Sequence, residues 1–144
     1  MSRNIVITGA NRGIGLALVK QYLKQGDSVF AVCRSRSEEL DAIPGITVIN
    51  GVDTVNMNDL IRLRSALAEI QIDVLINNAG ILSEEALGQI DFGRVERQFQ
   101  VNAMGPLRTT EVLLDRLHNG SRVVLISSRM GSINDNSSGS SYGY

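Results

Sequence analysis

The 144-residue chain has one cysteine, one histidine, two prolines and no tryptophan. A lone Cys33 excludes an internal disulfide, and its place in the run Ser28-Val29-Phe30-Ala31-Val32-Cys33 gives it the role of a small buried hydrophobe. His118 stands near the end of a helical pattern, where a solvated or dipole-facing position is expected rather than that of a base. No His, Cys, Asp and Glu cluster has metal-ligand spacing, and neither a G-x-S-x-G turn nor a Walker turn occurs. Fourteen Lys and Arg against 15 Asp and Glu leave a formal charge of −1, so no global field recruits nucleic acid or an anionic membrane. No apolar run is long enough to cross a bilayer, and the first residues enter a strand pattern without a signal-peptide core. A cytoplasmic protein is expected.

What is present is the composition of one soluble globular domain, with 43% hydrophobic and 20% charged residues. Strand-like runs near 4–8, 28–33, 46–50, 73–77 and 122–127 alternate with helix-like stretches. That alternation predicts right-handed βαβ units and a parallel sheet. Ile14, Leu18 and Tyr22, with Leu16, Val19 and Leu23 beside them, give a first helix a broad apolar face, and Gly26 ends it. Asn56 is an N-cap for a helix whose apolar positions recur up to Ile70. A further helix carries Val95 and Phe99, and another starts near Pro106 and runs through Leu113, Leu114 and Leu117 to Gly120. Residues 132–143 are rich in serine, glycine and asparagine and read as a surface loop.

The most informative stretch is Thr8-Gly9-Ala10-Asn11-Arg12-Gly13-Ile14-Gly15, which follows the apolar run Ile5-Val6-Ile7 and opens a helix. Glycines there let the backbone turn sharply out of a strand and approach a ligand closely, and the helix start offers unpaired N–H groups to a phosphate. The spacing is not the common G-x-G-x-x-G. It resembles the T-G-x-x-x-G-x-G signature of the short-chain dehydrogenase/reductases. Asn77-Asn78-Ala79-Gly80 after Asp73-Val74-Leu75-Ile76, and Ile126-Ser127-Ser128-x-x-Gly131 after Val123-Val124-Leu125, are similar to two further motifs of that family, in its order.

The resemblance implies a doubly wound α/β Rossmann sheet of strand order 3-2-1-4-5, ending here after its fifth strand. Residues 1–144 would form a dinucleotide-binding domain without the family's catalytic-lysine helix and substrate lobe. Gly9, Asn11, Arg12, Gly13, Ile14 and Gly15 would meet the cofactor through the turn. Where NAD-binding units place an acidic residue for the ribose 2′-hydroxyl, this chain has Arg34. A guanidinium can hold a 2′-phosphate bidentately where a carboxylate would repel it, and Arg12 adds a second positive charge, so NADP(H) is the expected cofactor. The alternative is that Arg34 and Arg36 are solvated loop charges.

Asp53 resembles the family aspartate that meets the adenine amino group, with Val52 or Thr54 lining the ring; it could equally be a turn or capping aspartate. The resemblance implies that Asn78, Ala79 and Gly80 are cofactor-adjacent, and structural before they are catalytic. Asn102 lies four residues before Pro106, so a helix running through both would leave its carbonyl without the usual partner. In the family, an asparagine at the matching N-x-x-G position holds a water there and links the catalytic lysine to solvent. Ser128, with Ser127 as its rival, matches the serine that hydrogen-bonds the substrate carbonyl. Tyr142 and Tyr144 are the candidates for the catalytic tyrosine; Gly131-Ser132-Ile133 with Ser138-Gly139 through Tyr142-Gly143-Tyr144 resembles the C-factor-like and carbonyl-reductase-like branch, in which the last tyrosine of such a run begins Y-x-x-x-K, and this implies Tyr144.

The implied activity is NADP(H)-dependent interconversion of a small-molecule carbonyl and an alcohol. The alternative is a cofactor-binding fragment or pseudoenzyme that does not turn over, the lysine being absent from these 144 residues. For a full-length form the resemblance also implies homo-oligomers built on long helices, one of which starts near Pro106.

Overall fold

The structure, a computed structural model, describes residues 2–132, 134 and 135. Five strands, β1 (Asn4–Thr8), β2 (Ser28–Val32), β3 (Thr47–Ile49), β4 (Ile72–Asn77) and β5 (Leu117–Leu125), form one sheet in the order β3-β2-β1-β4-β5. Every pairing is parallel, with Ile5 opposite both Val29 and Val74 in the centre. The doubly wound order implied by the sequence is therefore observed, and among the described residues the fifth strand is the last.

Strand periodicity explains the two layers. Ile5, Ile7, Val29, Ala31 and Ile76 face one side, where Leu16 and Val19 of α1 (Gly13–Lys24) cover them. Val6, Val32 and Leu75 face the other, beneath Leu60 and Leu63 of α3 (Met57–Ala66) and Leu113, just beyond α5 (Gly105–Val112). Strands buried on both faces read as continuous apolar runs, which is how β1 and β4 appear in the sequence. Outside this core, the buried Asp27 at the entry to β2 takes two bonds from the Arg3 side chain, 2.6 and 3.0 Å, and one from its backbone N–H.

Helix boundaries follow their caps. Asn56 accepts from the backbone N–H of Asn58 and Asp59 and starts α3, which ends at Ala66 rather than Ile70 because the chain turns at Leu67. Gly26, at φ +84°, lies in the turn that follows α1. A short helix not foreseen from periodicity, α2 (Glu38–Asp41), is capped by the Ser37 hydroxyl, which accepts from Leu40 N–H.

Two expectations are corrected. The helix begun near Pro106 does not reach Gly120: α5 ends at Val112, a tight turn spans Leu114–Arg116, and Leu117 already pairs with Ile72 in β5. Gly120, at φ +105°, lies in an irregularity of the β4–β5 register, where the Ser121 hydroxyl accepts from His118 N–H and donates to the Ile72 carbonyl. The leucines at 113 and 117 imitate a helical spacing because one fills the core and the other enters a strand. His118 is accordingly not at a helix end; it lies in β5, with Nε2 3.0 Å from Asp73 Oδ1.

The helix α4 (Phe92–Phe99) and α5 are joined by a π-helical turn, Gln100–Met104. Pro106 has no N–H to give, and the chain accommodates it by widening the helix instead of breaking it. The surface loop expected over 132–143 lies outside the described residues except at 132, 134 and 135, and Tyr142 and Tyr144 lie outside them altogether.

Candidate functional site

A cleft of about 500 Å³ opens over the carboxyl ends of β1, β2 and β4. Its floor is the glycine turn. Gly9 adopts φ +65° and lies so close to the next strand's exit that a Cβ there would meet Ala79 Cα at 2.8 Å. A Cβ on Gly15 would meet the Gly9 carbonyl oxygen at 2.2 Å and Asn78 Nδ2 at 2.6 Å, so this glycine packs helix against turn and does not line the cleft. Gly13 is different: at φ +55° it faces open space, with nothing within 4 Å of a built Cβ. The first turn of α1 has no side-chain cap and no acidic residue. An uncapped helix start beside a bare glycine is complementary to an anionic group such as a diphosphate.

The turn is held from three sides. The buried Thr8 hydroxyl accepts from the N–H groups of Asn78 and Ala79, each at 3.1 Å, while Asn78 Nδ2 donates to the carbonyls of Thr8 and Gly9. Asn78 is thus a strut between β1 and β4 where the two strands diverge. On the far side Ser37 donates to the Asn11 carbonyl at 2.6 Å, tying the glycine turn to α2. Sequence reading passed over Ser37; a serine directly ahead of Glu38-Glu39 is the capping signal that could have found it.

Arg12, Arg34 and Asp53 also line the cleft. Arg36, by contrast, is spent on Asp41, 2.6 Å away. Arg34 Nη1 lies 4.0 Å from Asp53 Oδ2, and Arg97 Nη2, reaching over from α4, lies 2.9 Å from the same oxygen. Asp53 Oδ1 accepts from Val55 N–H, so the turn role and the place in the cleft hold together. Partial burial pushes the Asp53 carboxyl up, but the Val55 bond and the two guanidinium groups outweigh it and hold it below the ordinary carboxylate value. Burial raises the Cys33 thiol, which fits the unreactive role read from its sequence setting.

A second cleft of about 790 Å³ adjoins the first, sharing Ile14 and the segment 78–81 with it. Asn102, Ser127 and Ser128 line it. Asn102 exchanges two bonds with the Ile81 backbone, accepting from its N–H at 2.9 Å and donating to its carbonyl at 2.8 Å. Ser128 follows β5 and accepts from Met130 N–H at 3.1 Å, which leaves the hydroxyl hydrogen free of any acceptor among the described residues.

The loop between β4 and α4 is braced by a network that the sequence did not announce. Gln98, fully buried, accepts from Ser83 N–H and donates to the Ser83 hydroxyl, while Glu85 accepts from that hydroxyl and from Asp91 N–H. This fixes the loop directly after Ile81 and Leu82, which line the second cleft. Among the described residues no group of three or more His, Cys, Asp or Glu could hold a metal ion, and no helix is long and apolar enough to cross a membrane.

The family described as short chain dehydrogenase matches residues 3–143 of the chain. A 1-hydroxy-2-glutathionyl-2-methyl-3-butene dehydrogenase of Rhodococcus sp. (strain AD45) is 34% identical over 142 residues, 97% of this chain and 62% of the relative. The C-signal protein of Myxococcus xanthus is 46% identical over 76 residues, 51% of this chain and 46% of its own length. The chain therefore spans about half to three fifths of these relatives. Among solved structures, a short-chain dehydrogenase/reductase from Burkholderia multivorans with bound NADP superposes with a TM-score of 0.90 at 26% identity, over 100% of this chain and 66% of that one. A carbonyl reductase from Pseudomonas aeruginosa PAO1 gives 0.89 at 33% identity, over 99% and 69%.

Proposed function

Given that the chain belongs to the short-chain dehydrogenase family, we propose that residues 1–144 form the NADP(H)-binding Rossmann domain of an oxidoreductase that interconverts a carbonyl and an alcohol. The observation that carries this reading is the cleft itself: an uncapped helix start and the open side of Gly13, with Arg12 and Arg34 in the same lining, and Ser128 in the adjoining cleft. The NADP bound to the Burkholderia relative supports the cofactor assignment.

In this reading the backbone around Asn11, Arg12 and Gly13 holds the diphosphate, Arg34 and Arg12 take the 2′-phosphate, Asp53 meets the adenine, and Ala79 and Gly80 let the ribose approach. When bound, the cofactor would supply the hydride donor or acceptor for the reaction. Ser128 donates its free hydroxyl hydrogen to the substrate oxygen. Tyr144 passes the proton to that oxygen in reduction and takes it back in oxidation. A tyrosine near its reference pKa of ~10 is a poor acid at neutrality, and the family lowers it with a lysine four residues on, which these 144 residues do not include. The Asn102 carbonyl, in the widened helical turn, is assigned the water that leads from that lysine to solvent.

The test is NADPH oxidation with a panel of ketones, aldehydes and quinones. Two polypeptides are compared, the 144 residues alone and a form extended through the lysine. Turnover by the extended form that is lost in Ser128→Ala and in Tyr144→Phe supports the proposal, with the short form binding NADPH and not turning over. A folded, NADPH-binding extended form that reduces nothing in the panel overturns it.

A further inference from the structure

Arg34 and Arg97 address the same oxygen of Asp53, and they do so unequally. Arg97 Nη2 donates to Oδ2 at 2.9 Å, whereas Arg34 Nη1 stands back at 4.0 Å. The other carboxylate oxygen is held by Val55 N–H at 3.0 Å, and the Asp53 N–H is itself bonded to Asp59. Asp53 is thus anchored through its own turn, and would keep its position if Arg97 were removed. Asp59 is paired with Arg62 and offers Arg34 no alternative partner.

We propose that Arg97 is a positioning residue for cofactor selection: by occupying Asp53 Oδ2 it keeps that carboxylate from capturing Arg34, which stays available for the 2′-phosphate of NADP(H). The proposal rests on the reading of Arg34 as the 2′-phosphate partner. Without Arg97, the Asp53 charge has one neutralising neighbour, Arg34, and a 2′-phosphate must then displace a carboxylate from it and approach that carboxylate uncompensated. Both effects weaken NADP(H) and leave NAD(H), which has no phosphate there, nearly unchanged. Whatever Asp53 contributes at the adenine is common to the two cofactors and cancels in their affinity ratio.

The experiment is calorimetric titration of the 144-residue chain with NADP+ and NAD+, for the wild type, Arg97→Gln, Arg97→Lys, Asp53→Asn and the double variant Arg97→Gln/Asp53→Asn. Circular dichroism establishes that each variant is folded. Arg97→Gln should lower the NADP+ to NAD+ affinity ratio about fivefold, the order of one solvent-screened charge contact at this range. Arg97→Lys should retain most of the ratio, and the double variant should recover it, because no carboxylate is left to compete for Arg34. A merely structural role for Arg97 would weaken both cofactors alike and would not be rescued by removing Asp53. An unchanged ratio in Arg97→Gln, in a wild type that prefers NADP+, overturns the role of Arg97 alone. A wild type with no preference overturns the Arg34 reading and this inference with it.

Discussion

Asn102 and Ile81 face each other across the rim of the second cleft and exchange two hydrogen bonds, 2.9 Å to the asparagine oxygen and 2.8 Å from its nitrogen. An amide is the side chain that can satisfy both the N–H and the C=O of one extended residue at once. The bond pair fastens the segment 78–81, common to both clefts, onto the π-helical turn between α4 and α5.

Replacing Asn102 with Ala leaves the Ile81 backbone without these partners and should cost about 2 kcal/mol in urea unfolding. Asn102→Asp, which keeps the acceptor and loses the donor, should fall between Ala and wild type. NADP(H) binding should weaken a few-fold in Asn102→Ala, because the wall it meets is loosened. Wild-type stability in Asn102→Ala would remove the clamp from the account.

The two glycines Gly13 and Gly15, separated by one residue, should fail in different ways. Gly15→Ala drives a methyl group into the Gly9 carbonyl and should destabilise the fold by about 3 kcal/mol. Gly13→Ala meets no atoms and pays about 1–2 kcal/mol for its left-handed backbone. Its larger consequence should be a loss of NADP(H) affinity, since the methyl group occupies the open side of the turn. Equal effects of the two substitutions on stability and on binding would contradict the division of labour.

Both ring nitrogens of His118 point at acceptors, Nε2 at Asp73 Oδ1 and Nδ1 at the Asn119 carbonyl, each 3.0 Å away, and the imidazolium alone can donate to both. The Asn119 carbonyl and then the Asp73 carboxylate raise the His118 pKa, against a small opposing effect of burial. A group whose folded pKa is raised contributes fully below its unfolded value of ~6.5, and its contribution disappears as pH rises through the folded value. The wild type should therefore lose some stability as pH rises above about 6.5, and His118→Gln should flatten that part of the profile. An unchanged slope in His118→Gln would refute the assignment. Because Asp73 also accepts from Asn4 N–H, this tie connects β5 to β4 and β1 at the end of the sheet opposite the cleft.

The parts of the molecule legible in the sequence are those set by local periodicity and backbone geometry. Apolar runs gave β1 and β4, Asn56 gave the start of α3, and the Gly9 to Gly15 spacing gave the turn and its family. What escaped depends on contacts between distant residues. Leu113 and Leu117 keep a helical interval, yet the chain leaves the helix because Leu117 finds Ile72 on the sheet. The bracing of Ser83 by Gln98 joins polar residues 15 positions apart, and no period marks them. Arg97 likewise meets Asp53 across 44 residues, so the charge pattern of α4 alone reads as an ordinary solvated face.

The central claim, an NADP(H)-selective cleft over the carboxyl ends of the strands, is tested most directly by calorimetric titration of the wild-type chain and Arg34→Asp with NADP+ and NAD+. The account predicts that the wild type binds NADP+ at least about tenfold more tightly than NAD+, the order expected of a charge-assisted phosphate contact, and that Arg34→Asp abolishes or inverts that preference. Equal wild-type affinities, or a preference that survives Arg34→Asp, would contradict it.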